Sequence, residues 1–264
     1  MLFVLSPAKT LDFSPPPPEV PASRRTMTAD TALLSKTTRK LTATDLKRLM
    51  DISDALAELN RERFKAFDAK DLDGGVQAAL AFAGDVYDGL DARNLDLDDL
   101  DWAQERLRIL SGLYGLLRPL DRIQPYRLEM GTRLATARGV SLYDFWGDRL
   151  SKALNKAAEG HADRTLVNLA SQEYFGAIDL KALKLPVTTC QFKEEKDGLV
   201  RIVSFYAKQA RGLMARFAIQ NRLERADDLR GFDLGGYGFS RSLSGDREWV
   251  FVRPQPLPLV AKAA

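Results

Sequence analysis

Apolar runs separated by polar turns divide the chain into strand and helix candidates. Residues 2–5 are continuously apolar and end at Ser6-Pro7, which is typical of a strand buried on both faces of a helix-covered sheet. Residues 28–66 repeat apolar positions near the helical spacing. The other candidates are strands over 165–170, 187–192, 199–205 and 249–252 and helices over 76–82, 100–110 and 207–223.

This intermingled pattern predicts one compact α/β domain of mixed α+β character. No linker separates the strand candidates from the helix candidates, and no internal repeat is visible. The length of 264 residues is enough for one sizeable core. The predicted boundaries are 1–253 for the domain and 254–264 for a flexible Pro-rich C-terminal tail.

The chain has few of the side chains that conventional catalysis uses. The chain has one cysteine, Cys190, and one histidine, His161, which excludes an intramolecular disulfide and a Cys/His zinc site. Ser-His-Asp and Cys-His catalysis would each need His161, which lies in a polar stretch typical of an exposed loop. Cys190 lies in a strand candidate, which favours a buried, inert thiol. We therefore predict no metal site and no cofactor.

The N-terminus and the apolar runs bear on the location of the protein. Residues 1–5 are too short for the core of a signal peptide and lack a basic leader. No apolar run reaches the length needed to span a bilayer. The sequence therefore predicts a cytoplasmic protein without a membrane partner.

The net charge of +3 conceals an uneven distribution. Residues 201–225 hold six basic residues and one acid, a local charge of +5, and residues 118–138 hold five arginines and two acids, a local charge of +3. Residues 91–101 hold five aspartates and one arginine, a local charge of −4, and also suit the start of a helix. The net charge alone argues against a polyanion as partner. The separation of basic and acidic runs along the sequence nevertheless permits a basic groove that binds one.

The helix candidate 207–223 carries basic residues on one face. Lys208, Arg211 and Arg222 share one side of a helical projection, and apolar residues occupy the other. Gly212 lies beside this stripe, where the absence of a side chain would let a phosphate backbone approach. The predicted phosphate contacts of this helix are Lys208, Arg211, Gly212 and Arg216. The alternative is a solvated basic face whose glycine packs against a neighbouring element.

Two glycines three residues apart, Gly112 and Gly115, predict a tight hairpin after the helix candidate 100–110. The N–H groups of such a hairpin, with the N-terminus of a following helix, can receive a phosphate. Three arginines that follow can clamp neighbouring phosphates in a bidentate manner, namely Arg118, Arg122 and Arg127. The alternative is a buried, close-packed turn whose arginines pair with Asp121 and Glu129.

A third candidate for anion binding follows the first strand. Ser6, Lys9 and Thr10 supply an ammonium group and two hydroxyls at a strand end, where ligands collect in open α/β sheets. The segment lacks the glycines of a nucleotide-hydrolysing phosphate loop. An ordinary Ser-Pro turn is the alternative.

Several long motifs are spread from the first strand almost to the C-terminus. They occupy residues 5–11, 84–87, 110–115, 117–121, 125–131, 145–147, 168–171, 173–174, 204–208 and 210–214. Taken together, they resemble the YaaA family of bacterial peroxide-stress proteins. The resemblance implies a single-domain α/β fold particular to that family and a role in limiting free iron and oxidative DNA damage under hydrogen peroxide. It also implies binding of duplex DNA through a positively charged cleft that contains a helix-hairpin-helix element.

Two segments compete for the implied helix-hairpin-helix element. We place it at helix 100–110, hairpin Ser111–Gly115 and the helix that follows, because such modules hold a phosphate against a glycine hairpin. The competing segment, 33–60, has better helix candidates but no hairpin glycine. Its basic residues are Lys36, Arg39, Lys40, Lys47 and Arg48.

The favoured hypothesis is a cytoplasmic peroxide-stress protein that binds duplex DNA with little sequence specificity. Its predicted phosphate contacts are Lys9, Gly112, Gly115, Arg118, Arg122, Arg127, Lys208, Arg211, Gly212 and Arg216. One Cys and one His cannot supply a set of thiolate or imidazole ligands, so we expect an indirect effect on iron.

Two other hypotheses stay open. The first is an enzyme that acts on a nucleotide, a nucleobase or damaged DNA, with Glu129 or Glu173 as general acid or base. Its other cleft candidates are Lys9, Asp85, Tyr87, Tyr126, Arg127 and Tyr174. The second is an adaptor in iron homeostasis that acts through a protein partner. The sequence alone does not decide whether the protein is an enzyme.

Overall fold

The computed structural model describes residues 1–256 of the chain. Of the predicted tail, residues 257–264 lie outside the described part. The strands are β1 Leu2–Leu5, β2 Thr10–Leu11, β3 Val76–Gln77, β4 Phe82–Ala83, β5 Leu107–Ser111, β6 Gly115–Leu117, β7 Arg122–Ile123, β8 Leu166–Asn168, β9 Val187–Lys196, β10 Leu199–Arg201, β11 Gly238–Phe239 and β12 Glu248–Pro254. The helices are α1 Thr28–Thr38, α2 Ala43–Met50, α3 Asp54–Ala66, α4 Ala78–Ala81, α5 Asp85–Leu90, α6 Leu97–Arg106, α7 Leu142–Trp146, α8 Arg149–Ala157, α9 Gln172–Phe175 and α10 Ser204–Gln220.

An eight-stranded, mostly parallel sheet organises the fold. Five parallel strands form its middle in the order β12-β9-β8-β1-β5. Antiparallel β11 and β6 lie at its two ends, and β10 forms a hairpin with β9. All four residues of β1 are buried, as expected of a parallel strand covered on both faces. The predicted mixed α/β class is therefore confirmed.

The helices form largely where the apolar spacing predicts them. The predicted helical region 28–66 divides into α1, α2 and α3, and the candidate 207–223 corresponds to α10. Asp96 caps α6 by accepting a hydrogen bond from the Asp99 N–H at 2.7 Å, so the acidic run does begin a helix. None of the helices in the described part of the chain is long and apolar enough to cross a bilayer.

The segment after α6 is a strand, whereas the sequence predicted a helix as far as residue 110. α6 ends at Arg106, and β5 pairs with β6 as an antiparallel hairpin in which Ser111 lies opposite Gly115. All of β5 is buried, and periodicity cannot distinguish a short buried strand from a buried helical segment. The helix-hairpin-helix placement at 100–115 is therefore wrong, since a β-hairpin occupies it and the next α-helix is α7.

Gly112 and Gly115 permit close packing in this hairpin. A β-carbon on Gly112 would overlap the Leu128 carbonyl, and one on Gly115 would lie 2.6 Å from the Trp146 ring. Gly115 also has a φ of +75°, which glycine adopts at little cost. The Trp146 indole N–H donates to the Gly112 carbonyl at 3.0 Å. Both glycines are buried, so the prediction that this hairpin is open to a phosphate is wrong.

Two other element boundaries differ from the prediction. The helix candidate 76–82 contains only α4, flanked by the two-residue strands β3 and β4. The strand candidate 199–205 ends at Arg201, because α10 begins at Ser204. Glu194 fixes this transition by accepting a hydrogen bond from the Val203 N–H at 3.2 Å.

Candidate anion-binding cleft

A cleft of about 470 Å³ opens at the carboxyl edge of the parallel strands. It is lined by the loop 6–10 that follows β1, by the beginnings of α5 and α9, and by the first half of α10. Glu129, from the segment between β7 and α7, also lines it. This edge is where open α/β sheets bind ligands, because the loops after adjacent parallel strands leave a crevice there.

Two serines join the ends of β1 and β8 at the cleft. The Ser171 N–H donates to the Ser6 hydroxyl at 2.9 Å, and the Ser6 hydroxyl donates to that of Ser171 at 3.3 Å. Ser171 also caps α9 by accepting a hydrogen bond from the Tyr174 N–H at 3.4 Å. These bonds fix the loop that carries Lys9 relative to helix α9, which carries Glu173.

Glu129 holds two cations at the cleft. Its Oε2 lies 2.9 Å from Lys9 Nζ, and its Oε1 lies 3.0 Å from Arg127 Nη2. The Lys9 side chain stays 63% exposed, whereas that of Arg127 is 16% exposed. Because Lys9 is the exposed partner of this pair, a ligand can compete with Glu129 for its ammonium group.

A second mixed pair joins α5 to α10. Lys208 Nζ lies 3.5 Å from Asp85 Oδ2. The two helices pack so closely that a β-carbon on Gly89 or on Gly212 would overlap the backbone of the facing helix. Gly212 is thus buried against α5, as in the alternative that the sequence left open. The open approach that its predicted phosphate contact requires does not exist.

Arg211 faces the same cleft from the next turn of α10. It is half-buried, and within residues 1–256 its guanidinium has neither a hydrogen-bond acceptor nor an ion-pair partner. Burial lowers the pKa of Arg211 from its ordinary value. Since a partly buried cation without a counter-charge costs free energy, its position favours an anionic ligand in the cleft.

Three buried tyrosines support the cleft, namely Tyr87, Tyr126 and Tyr174. The Tyr87 hydroxyl donates to the Ser6 carbonyl at 3.0 Å, and the Tyr126 hydroxyl lies 2.6 Å from that of Ser111. Burial raises the pKa of all three phenols above the ordinary value. They are therefore protonated at neutral pH, and Tyr87 serves as a hydrogen-bond donor rather than as a base.

Three carboxylates share the cleft with these cations, namely Asp85, Glu129 and Glu173. Glu173 accepts a hydrogen bond from the Gly131 N–H at 2.9 Å, and no cation of the described chain pairs with it. It is therefore the cleft carboxylate best placed to exchange a proton with a ligand.

Most of the residues named for the enzyme hypothesis line the cleft, whereas fewer of the predicted phosphate contacts do. Lys9, Lys208 and Arg211 are the predicted phosphate contacts that line the cleft. The enzyme candidates that line it are Lys9, Asp85, Glu129, Glu173 and Tyr174. Tyr126 and Arg127 line a small adjoining cavity, and Tyr87 reaches Ser6 as described above.

Three other predicted arginines are held by the protein. Arg118 donates from Nη2 and Nε to the fully buried Asp121 at 2.9 and 3.1 Å. Arg122 donates to the Gly75 carbonyl at 3.2 Å. Arg118 and Arg127 thus pair with Asp121 and Glu129, as in the alternative that the sequence left open, whereas Arg122 bonds a backbone carbonyl instead. Contacts of these arginines with DNA stay a prediction.

The basic run 201–225 lies against the acidic run 91–101, which leads into the first turns of α6. Arg216 lies 3.2 Å from an Asp91 carboxylate oxygen and donates to the Asp91 carbonyl at 2.9 Å. Arg222 pairs with Asp99 and lies beyond the end of α10, with a φ of +50°. Arg222 therefore does not extend the predicted stripe. The two runs are thus separated along the sequence but meet in the folded chain.

Sequence reasoning assigned no role to Ser171, although it joins two strand ends. A signal was present, because Ser171 follows the strand candidate 165–170 as Ser6 follows 2–5. Residues that follow adjacent parallel strands meet at one edge of a sheet. The lack of a partner at Arg211 has no such signal in the sequence.

The single cysteine and histidine do not line the cleft. Cys190 is buried in β9, as predicted, and burial raises its pKa to about 12. His161 Nδ1 lies 3.0 Å from the Met1 carbonyl oxygen. Within residues 1–256, no three His, Cys, Asp or Glu side chains are grouped so as to hold a metal ion.

The fold and the cleft define an α/β protein with one central, mostly parallel sheet and a mixed cationic and acidic cleft at the carboxyl edge of its parallel strands. A family model described as peroxide stress protein YaaA matches residues 1–243, so the chain belongs to that family and the resemblance is confirmed. A UPF0246 protein of Phenylobacterium zucineum is 65% identical over 261 residues, which are 99% of this chain and 98% of that relative. One of Caulobacter vibrioides is 64% identical and covers 97% and 100% of the two chains. One of Ruegeria pomeroyi is 56% identical and covers 96% and 99%.

Proposed function

We propose that this peroxide-stress protein binds the phosphate backbone of duplex DNA at the cleft, with little sequence specificity, and thereby limits oxidative DNA damage. Arg211 carries the proposal, because its half-buried guanidinium lacks a counter-charge in the described chain. Phosphate oxygens supply acceptors in the geometry that a guanidinium prefers. Lys9 and Lys208 line the same cleft and add two positive charges.

The two lysines reach a phosphate by exchanging partners. Their side chains are 63% and 52% exposed, and each pairs with a cleft carboxylate, Glu129 or Asp85. Because both ammonium groups are largely exposed, a phosphate can compete with these carboxylates for them. The carboxylates still oppose a polyanion, which limits contact to the few phosphates that enter the cleft.

In this proposal the limitation of free iron is indirect. The single thiol is buried in β9, and the single imidazole lies against the Met1 carbonyl. Thiolate and imidazole ligands are therefore not offered at the cleft. The protective effect would be exerted at the DNA.

The test is the affinity for a short fluorescent duplex, measured by anisotropy at fixed salt. Replacing Arg211 by Ala removes charge-assisted hydrogen bonds and should weaken binding by about tenfold or more. Arg211→Lys retains the charge, so its duplex affinity should fall between those of the wild type and Arg211→Ala. Lys181→Ala changes an exposed lysine outside the cleft and should leave the affinity unaltered. An Arg211→Ala protein that binds as tightly as the wild type would contradict the proposal.

A second function, catalysis on a nucleotide or a damaged base, is favoured by the convergence of the three carboxylates with the cleft cations. Glu173 would act as general acid or base. The substrates to test are free nucleotides and a duplex that contains an oxidised guanine, with mass spectrometry of the products. Turnover should be abolished in Glu173→Gln and retained in Glu159→Gln, which alters an exposed glutamate elsewhere. Turnover that survives Glu173→Gln would reject this assignment.

A further inference from the structure

A second cavity, of about 640 Å³, lies at the amino edge of the sheet, opposite the cleft. Three strands border it near their beginnings, through Thr165 just before β8, Thr188 in β9 and Trp249 in β12. The segment 225–227, which follows α10, contributes another side. The volume lies in the range of small-molecule sites.

Three arginines from separate segments gather at this cavity, namely Arg164, Arg225 and Arg247. All three are exposed, and in the part of the chain that the structure describes none of their side chains makes a hydrogen bond or an ion pair. Elsewhere in the molecule, arginines such as Arg118 and Arg216 are held by carboxylates and carbonyls. The cavity therefore concentrates positive charge that the protein does not itself neutralise.

The two acids at the cavity have partners already. Asp163 accepts hydrogen bonds from the Thr165 and Ala226 N–H groups at 2.8 and 2.7 Å. Burial opposes the charge of Asp163, but these N–H groups outweigh burial and hold its pKa below the ordinary value. Asp227 lies 3.2 Å from Arg230, which is not one of the three lining arginines. Neither acid is therefore bound to Arg164, Arg225 or Arg247.

Two buried polar groups at the same cavity lack partners. The Thr188 hydroxyl and the Trp249 indole N–H have no hydrogen-bond partner among residues 1–256, and these residues are 1% and 3% exposed. An unpaired buried donor costs free energy, so native structures rarely retain one without a ligand or a water to satisfy it. An oxygen-rich ligand would supply acceptors for both groups.

We propose that this cavity is a second ligand site and that it binds the phosphate groups of a phosphorylated small molecule. A carboxylate is planar, and a single guanidinium fork can satisfy it. A phosphate or diphosphate presents oxygens in several directions, which suits donors that come from three arginines, a hydroxyl and an indole. The site shares no lining residue with the carboxyl-edge cleft, so it stands independently of DNA binding there.

Isothermal titration with pyrophosphate tests the site in the full-length protein. The wild type should bind saturably, and the double substitution Arg225→Ala/Arg247→Ala should weaken binding by about tenfold or more through the loss of charge-assisted hydrogen bonds. Thr188→Val removes one donor with little change in shape and should weaken binding severalfold. Arg201→Ala, an exposed arginine that lines neither site, should bind as the wild type does.

A parallel titration of Arg211→Ala separates the two sites. Retention of pyrophosphate binding in Arg211→Ala, with its loss in the double variant, supports the amino-edge cavity. Loss in Arg211→Ala with retention in the double variant would place pyrophosphate in the cleft and overturn the proposal. Tricarballylate, a tricarboxylate, should bind more weakly than pyrophosphate. Equal or tighter binding of tricarballylate would overturn the assigned ligand class.

Discussion

Gly89 and Gly212 show how single residues set the geometry of the cleft. Each lies where a β-carbon would overlap the backbone of the facing helix, so α5 and α10 touch along their main chains. This close approach brings Lys208 to within 3.5 Å of Asp85. Gly212 thus affects the cleft through helix packing and not by giving a ligand access to the helix.

Replacing Gly212 by Ala tests this role. The added methyl group would meet the Val86 carbonyl, so we expect the free energy of unfolding to fall by about 1–3 kcal/mol, as for other overpacked sites. Urea denaturation measures the change. Gly231→Ala is the matched control, because a β-carbon there has no neighbour within 4 Å. An unchanged stability of Gly212→Ala together with weakened DNA binding would restore the phosphate-contact hypothesis.

Cys190 should be unreactive in the native protein. Burial raises its pKa to about 12, so almost no thiolate exists at pH 8, and the thiolate is the reactive form. We expect Ellman's reagent to label the native protein very slowly and the urea-unfolded protein rapidly. Folding raises the pKa of this thiol. The stability that the buried, protonated thiol contributes is therefore complete below the pKa of the unfolded thiol, and it is lost as the pH rises from there through the folded pKa. Rapid native labelling would contradict the burial of the thiol.

At the scale of elements, β1 and β5 show which strands the sequence reveals. The apolar run of β1 ends at Ser6-Pro7, so its length is visible. β5 is equally buried, but α6 passes into it at Leu107 with no glycine or proline between them, and local pattern alone cannot divide the two. The false helix-hairpin-helix placement follows from that missing boundary.

The candidate site was also only partly predictable. Lys9 follows a recognisable strand end, so its position at the carboxyl edge could be inferred. The contact between Glu129 and Lys9 could not be inferred, because these residues are distant in sequence and meet only in the folded chain. The same holds for Arg216 and Arg222, whose partners depend on how α10 packs beside α6 and the end of α5.

The turn between β6 and β7 depends on Asp121. This buried carboxylate accepts hydrogen bonds from Arg118 and from the Ser23 hydroxyl, the latter at 2.6 Å. Asp121→Asn keeps the shape but removes the charge, so the free energy of unfolding should fall by about 1–3 kcal/mol in a thermal or urea melt. Duplex affinity should not change, since the proposed DNA contacts lie in the cleft. Tighter DNA binding without a loss of stability would instead make Arg118 a phosphate contact.

For the whole molecule, the small net charge of +3 conceals both paired and clustered charges. Some charges cancel locally, because the basic run 201–225 and the acidic run 91–101 pair where they meet. Two further groups of cations lie at the two edges of the sheet. Lys9, Lys208 and Arg211 line the carboxyl-edge cleft, and three arginines line the cavity at the amino edge.

The central claim is that the cleft, and not the wider basic sequence, contacts phosphate. The most direct test is the salt dependence of duplex binding for Lys208→Ala/Arg211→Ala and for the charge-matched control Lys181→Ala/Lys184→Ala, whose lysines are exposed and do not line the cleft. The slope of log affinity against log salt should fall by about two in the cleft variant, roughly one for each lost phosphate contact, and stay unchanged in the control. Equal slopes in the wild type and the cleft variant would contradict the claim.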